Sequence, residues 1–344
     1  MNQLKGDSVN PADKTPIGKT KLKVTRLGLG TGLLGSLHED DPWSEIIKTA
    51  WSAGVRSFDT SPYYGFGTSE VRLGRALAKY NRSDYVVSTK VGRLLRADAP
   101  EDPFAEAVYF PKGRPPGALR SVYDYSAAAT RQSLVESRER LGLERIDIAH
   151  IHDVVELASG VSHVKEAIEE TYPVLAELRH EGIITAAGVG AQVNQVLIDL
   201  GEACSFDCFL VAGRYTLLDQ SAIEEVLPIC VRKNISVIIG SPFNTGILHD
   251  PKPDSTFDFM PAPPEMIDKA LKLKAVCKKY NVPLPAAAIQ FPFAHPAVAQ
   301  VLTGARSGSE IMDNVKLMQT PIPAELWREL RETGLVHPKA PLPS

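Results

Sequence analysis

The sequence is poor in the features that would place a chain in a membrane, outside the cell or on a nucleic acid. No apolar run approaches the roughly 20 residues that a membrane-spanning helix needs, and the polar stretch from Met1 to Asp13 has no signal-peptide core. Cysteine is scarce. Cys204, Cys208, Cys230 and Cys277 form neither a C-x-x-C pair nor a paired zinc spacing, which points to reduced, buried thiols. A dominant sign of charge is lacking as well: Lys and Arg number 38 against 41 Asp and Glu, with no long basic run to grip a phosphate backbone. The expectation is a cytoplasmic protein acting on a small molecule, with no nucleic-acid or membrane partner, as a monomer or small homo-oligomer.

What is present is ordinary globular material. Hydrophobic content of 44% and charged content of 23% provide for a sizeable core. Residues 1–14 read as a disordered leader, and 18–24 (GKTKLKV) alternates weakly, as one strand of an N-terminal hairpin would. A pattern then repeats: a short apolar run, a loop, an amphipathic helix. The runs are 26–30, 55–59, 85–90, 146–151, 185–189, 208–212, 236–240 and 298–302. Helices are predicted at about 43–53, 69–80, 127–141, 164–181, 193–201, 221–233, 264–280 and 308–318, with one more at 324–332.

Short continuous apolar runs alternating with helices signal parallel strands buried on both faces. Eight units suit an α/β fold, the (β/α)8 TIM barrel, over residues 15–335, with a mobile tail at 336–344. Two connections that follow strands are long, about 92–126 and 243–263, and both are rich in Pro, Asp and Gly. In such a barrel they lie on the C-terminal face, where active sites are built, and long loops without structure of their own often act as lids.

Gly30-Thr31-Gly32-Leu33-Leu34-Gly35 fits G-x-G-x-x-G after a strand. A dinucleotide fingerprint requires a helix to open within those glycines. Here the polar stretch from Ser36 to Pro42 intervenes and the helix is predicted beyond it, so the motif reads as a close-packed loop on the rim.

The same ends of the second, third and fourth runs carry Asp59, Lys90 and His152, with Tyr64 in the loop after Asp59. Adjacent parallel strands lie about 4.8 Å apart, so these groups should converge. Each alone has a structural reading: a buried ion pair, a rim aromatic, a satisfied core histidine. Together they make a tyrosine acid/base site, in which an ammonium near a phenol stabilises the phenolate and an aspartate anchors the ammonium. His150 and His152 share one strand face and could pair on a metal, but a catalytic metal needs a third ligand and no later strand end supplies one convincingly.

Phe58-Asp59-Thr60-Ser61-Pro62-Tyr63-Tyr64-Gly65, Val87-Ser88-Thr89-Lys90 and Leu141-Gly142 through Ile146-Asp147-Ile148-Ala149-His150-Ile151-His152 resemble the markers of the aldo-keto reductase family. The likeness spans nearly the whole chain and selects Tyr64 over Tyr63. It implies a barrel holding a nicotinamide dinucleotide along its C-terminal rim, with Asp59, Tyr64, Lys90 and His152 catalytic. Ser241-Pro242-Phe243 with Gly246 and Leu248 is similar to the family loop over the pyrophosphate. Gly304, Arg306, Glu310 and Asn314 are similar to the adenosine segment. Thr31, Asp59, Gly190 and Arg214 complete the implied cofactor contacts, and Tyr64, Phe66, His152 and Asp153 the implied substrate contacts.

The family's usual aromatic ahead of Ser-Pro is Gly240 here, and Phe243 is the candidate replacement ring. Gly188-Val189-Gly190-Ala191-Gln192 and Ala212-Gly213-Arg214-Tyr215 resemble one branch, the aldose dehydrogenases acting on L-fucose, L-galactose or D-threo-aldoses, which also includes pyridoxal 4-dehydrogenase. That resemblance implies oxidation of a cyclic hemiacetal to a lactone, and NAD, with NADP possible through Arg306. The alternatives are an NADPH-dependent carbonyl or aldehyde reductase, and a non-catalytic redox-sensing barrel like the potassium-channel β subunits.

Overall fold

Eight short runs of buried, largely aliphatic residues pair in sequence order into one closed, all-parallel barrel. The computed structural model describes residues 9–38, 42–110, 117–156 and 159–343. Its barrel strands are β1 (Leu27–Gly30), β2 (Ser57–Asp59), β3 (Val86–Val91), β4 (Ile148–His152), β5 (Ala186–Ala191), β6 (Cys208–Ala212), β7 (Ser236–Gly240) and β8 (Val298–Thr303). The ring closes where β8 pairs with β1. All eight predicted runs are strands, and β6 and β7 keep the predicted boundaries. The (β/α)8 architecture follows from burial: helices cover the outside and side chains fill the inside, so strand residues on both faces are largely apolar.

The helices follow the predicted order. Ala127–Leu141 and Ala324–Glu332 match to the residue. The first starts because the Ser126 hydroxyl accepts the Ala129 N–H, and it stops at Gly142, where φ is +63°. The helix predicted over 164–181 is instead broken by one π-turn, Ala167–Thr171, between Val164–Glu166 and Tyr172–His180. Leu284–Gln290 is a helix that the sequence pattern hides: six of its seven residues are buried, so it has no polar face to reveal a period.

The N-terminal hairpin pairs Lys14–Pro16 with Lys23–Thr25. The stretch predicted as a strand, 18–24, therefore holds the turn. Ile17 and Val24 are fully buried and pack with Val86, Ile148 and Cys208, so the hairpin plugs the N-terminal end of the barrel. Chain beyond the expected limits of 15 and 335 is also packed. Val9 donates its N–H to the Met318 carbonyl and Leu27 to that of Pro11. Val336 and Ala340 are buried, with Arg331 bonded to the Ala340 carbonyl. Residues 1–8 of the expected leader and residue 344 of the expected tail lie outside the described residues.

The two long loops on the C-terminal face have structure of their own, contrary to expectation. The first forms a hairpin, Arg93–Arg96 with Arg120–Tyr123, and a helix, Pro103–Tyr109. The second forms a small hairpin, Thr256–Phe257 with Met260–Pro261. Phe104 of the first meets Phe259 of the second edge-on, with ring centroids 6.0 Å apart, so the loops touch. Among the described residues no helix is long and apolar enough to cross a membrane, and all four cysteines are buried and unpaired.

Candidate active site

Because all eight strands are parallel, the predicted site residues sit at the C-terminal ends of strands or in the loops after them, apart from Glu310 and Asn314 on the helix after β8. Asp59 closes β2, Lys90 is the penultimate residue of β3, and His152 closes β4. Lys90 Nζ donates to Asp59 Oδ2 at 2.6 Å and to the Thr60 carbonyl at 2.8 Å, while the Ser88 hydroxyl donates to Asp59 Oδ1 at 2.7 Å. Both side chains are at most 5% exposed, so the pair is out of water and its oxygens are partnered. Thr31, expected at the cofactor, is fully buried; its hydroxyl donates to the Asp59 carbonyl at 2.8 Å and so supports the end of β2.

The lysine picks out one of the two tyrosines. Lys90 Nζ lies 4.6 Å from the centre of the Tyr64 ring, and the His152 ring meets Tyr64 edge-on at 6.2 Å. Tyr63 donates its phenol to Asp102 Oδ2 and lies under Arg93. The electrostatics correct one expectation. The Tyr64 phenol is held well above its usual pKa, first by burial, then by the Asp59 and Asp153 carboxylates. Lys90's charge is matched by Asp59, so it does not bring the phenol down, and Tyr64 is protonated in the free site.

His152 is neutral: burial, then the positive charges of Arg93 and Lys90, push it well below the usual histidine range. Its Nδ1 lies 3.2 Å from the Ser61 hydroxyl and its Nε2 lies 3.3 Å from Asp153 Oδ2. Opposite an ionised carboxylate, a neutral ring carries its proton on Nε2, leaving Nδ1 to accept from Ser61. The Tyr125 phenol donates to the His152 carbonyl at 2.6 Å and to that of Asp153 at 2.8 Å, pinning the end of β4. That phenol reaches β4 past Gly92 (φ +98°), where a Cβ would lie 2.2 Å from the Tyr125 ring. Only glycine fits there.

Two residues of this rim escaped the sequence reading. Arg93, 1% exposed, is stacked between Tyr63 and Tyr123. Tyr109, on the unforeseen helix, packs edge-on against Tyr63 and Phe66; its own phenol is raised first by burial, then by Tyr64 and Tyr63. The usable signal for Arg93 was its place three residues after Lys90, ahead of two leucines. Phe66, expected at the substrate, is 6% exposed and belongs to this aromatic cluster.

The expected cofactor residues are spread around the rest of the rim. The Gly190 carbonyl accepts the Asp153 N–H at 3.0 Å. Arg214 is engaged by the Gln192 carbonyl, Asp219 and Asp258. After β7, Ser241, Asn244, Thr245 and Gly246 all have positive φ, while Pro242 and Leu248 are buried and Phe243 is half-buried beside His249. At Gly240, where the aromatic is missing, a Cβ would lie 2.9 Å from Leu210 Cδ2. After β8, Gly304 and Arg306 are exposed, and Asn314 is buried. Glu310 accepts the Arg306 N–H at 2.8 Å, and Ser307 caps the helix Gly308–Gln319. Among the described residues no three His, Cys, Asp or Glu side chains cluster as metal ligands.

Comparison with known proteins agrees with this geometry. The model of the aldo/keto reductase family matches residues 26–334. D-threo-aldose 1-dehydrogenase from a Pseudomonas species is 37% identical over 332 residues, covering 92% of this chain and 95% of the relative. Pyridoxal 4-dehydrogenase from Microbacterium luteolum is 37% identical over 338 residues, covering 94% and 98%. Among solved structures, an aldo-keto reductase from Bacillus halodurans in its holo form shares the fold, with a TM-score of 0.73 at 23% identity over 95% of this chain and 97% of that one.

Proposed function

The chain belongs to the aldo/keto reductase family and is an NAD(P)-dependent oxidoreductase; from that premise we propose that it oxidises the anomeric hydroxyl of an aldose to a lactone, with NAD as its cofactor and Tyr64 as acid/base. The observation that carries the reading is the convergence of Asp59, Lys90, Tyr64 and His152 on one rim. The substrate class follows the likeness to D-threo-aldose 1-dehydrogenase. Pyridoxal is the second reading, supported by equal identity to pyridoxal 4-dehydrogenase.

The residues present fit a nicotinamide dinucleotide. The end of β8 offers an exposed guanidinium, Arg306, whose side chain has no partner among the described residues, beside exposed Gly304 and the N-terminus of a 12-residue helix. Such donors suit phosphate oxygens. Ser241 to Leu248 would hold the middle of the cofactor. Glu310 favours NAD, because a carboxylate repels a 2′-phosphate and accepts from a free ribose hydroxyl. When bound, the oxidised cofactor supplies the hydride acceptor and a positive charge.

The chain's own residues handle the proton. Asp59 and the Thr60 carbonyl fix Lys90 against the Tyr64 ring. For oxidation Tyr64 must first give its own proton to solvent, which the positive charge brought by the oxidised cofactor would favour, and as the phenolate it takes the proton of the anomeric hydroxyl; protonated as in the free site, it returns that proton in reduction. His152 donates Nε2–H to the same oxygen, which its neutrality allows. The site is buried, so each charge added beside the phenol acts through a low dielectric and counts for more than it would in water.

The test is a panel of aldoses with pyridoxal, each with NAD and with NADP, run on the wild type and on Tyr64→Phe. The wild type should reduce NAD with an aldose. Tyr64→Phe should lose about 10³-fold or more in kcat, in line with loss of a general acid/base, while binding NAD as before. Substantial turnover by Tyr64→Phe would overturn the assignment.

A further inference from the structure

Arg93 is the odd cation of the rim. Its side chain is 1% exposed, yet Nε, Nη1 and Nη2 all lack a hydrogen-bond partner. The guanidinium lies 4.0 Å from the centre of the Tyr63 ring and 4.4 Å from that of Tyr123. Its ion-pair partner among the described residues is Asp153, at 3.8 Å, too far for a hydrogen bond. Burying donors without partners costs stability, so a guanidinium kept in this state calls for a role beyond packing.

Asp153 supplies the other half. Its φ is +32°, its N–H is held by the Gly190 carbonyl and its own carbonyl by the Tyr125 phenol. The backbone is therefore fixed, while the side chain remains 27% exposed. Oδ2 lies 3.3 Å from His152 Nε2, the nitrogen assigned to the reacting oxygen. A carboxylate so close to that nitrogen is within reach of a group on the carbon next to one whose oxygen takes the Nε2–H.

We infer that Asp153, held from behind by Arg93, forms a subsite for a hydroxyl vicinal to the reacting carbon, so that the enzyme selects α-hydroxy substrates. An ionised carboxylate can only accept, so it suits a hydroxyl donor and gains nothing from a C–H in its place. Burial pushes the Asp153 carboxyl above the usual carboxylate range; the Arg93 charge opposes this most strongly, with Lys90 next. Arg93 acts through Asp153 and is a positioning residue. In the free protein Asp153 Oδ2 lies 3.3 Å from His152 Nε2 without a hydrogen bond between them, so the Nε2–H is available to a substrate oxygen. The inference rests on the proposed roles of Tyr64 and His152.

The experiment compares the best aldose of the panel with its 2-deoxy analogue. The wild type should prefer the 2-hydroxy sugar by about 10-fold or more in kcat/KM, the scale of a hydrogen bond to a charged group. Asp153→Asn and Arg93→Met should each shrink that preference, with KM rising more than kcat falls, and Arg93→Lys should restore part of it. A wild-type preference below about 10-fold overturns the subsite. A preference unmoved by Arg93→Met, with only stability reduced, overturns the positioning role. Calorimetry of both sugars on Tyr64→Phe with NAD separates the two proposals. Failure of aldose turnover in the wild type counts against the proposed reaction; equal binding of the two sugars, or binding of neither, counts against the subsite.

Discussion

The rim holds two buried cation–carboxylate pairs that differ in how completely they are satisfied. Lys90 and Asp59 meet at 2.6 Å, and the Thr60 carbonyl and Ser88 hydroxyl take up further bonding capacity. Arg93 and Asp153 stand 3.8 Å apart, with the guanidinium unbonded and the carboxylate partly open. Burial makes the first costly to break, since an ion left alone in the interior loses water and partner together, whereas the Asp153 carboxylate of the second is 27% exposed. The first pair is closed and can only fix geometry. The second has capacity left over, as a binding group needs.

Removing one cation from each pair gives the largest contrast. Lys90→Met leaves Asp59 buried without its ammonium, and should cost about 3–5 kcal/mol in stability along with turnover. Arg93→Met removes a guanidinium that makes no hydrogen bond and leaves a carboxylate that water can reach, so its stability cost should be clearly smaller. Denaturant unfolding of both variants beside the wild type checks this. Equal losses would mean that the open pair is as tightly held as the closed one.

A smaller effect sharpens the comparison from beneath. His150 pairs in register with Lys90 across β3 and β4, is fully buried, and has no hydrogen-bond partner at either ring nitrogen. Gly188 makes room for it: a Cβ there would lie 2.4 Å from Nδ1. Burial pushes the imidazole down to about 4, Asp59 opposing and Lys90 adding to it. A folded value below the unfolded one means that the unfolded chain binds more protons between them. The neutral ring thus contributes stability above the ordinary histidine value of about 6.5, and this is lost as pH falls toward 4. Between pH 7 and pH 4.5 the wild type should lose about 2 kcal/mol more than His150→Leu, measured by urea midpoints. His152 is depressed as well and remains in the variant, so the acid limb should shrink without vanishing.

How far the sequence could foresee this follows from the same residues. Strands buried on both faces leave continuous apolar runs, so all eight were legible, and Asp59, Lys90 and His152 were readable because parallel strands put like ends together. The phenol's state was not readable. It depends first on burial of the ring, then on the Asp59 and Asp153 carboxylates, and spacing reports neither how deeply a ring is buried nor which charges face it. Arg93 was missed because its hairpin partner, Arg120–Tyr123, lies across a long insertion whose composition reads as loop. The stacking of Phe66 on Phe110 at 5.6 Å was not readable either, because Phe110 lies in the same insertion.

The smallest expected effect lies at the wet end of the comparison, where Arg306 and Glu310 adjoin at the end of β8. Glu310 spends one oxygen on the Arg306 N–H, and the guanidinium is exposed. Charges in water are screened, so a change here should move binding by a modest factor and leave stability nearly untouched. Glu310→Lys removes the carboxylate that would repel a 2′-phosphate and adds a second cation beside Arg306. The ratio of kcat/KM with NADP to that with NAD should therefore rise by about 10-fold, the scale of one charge-assisted hydrogen bond. It should do so through KM for the cofactor, since Tyr64 and Lys90 are untouched. An unchanged ratio would place the adenosine end of the cofactor elsewhere on the rim.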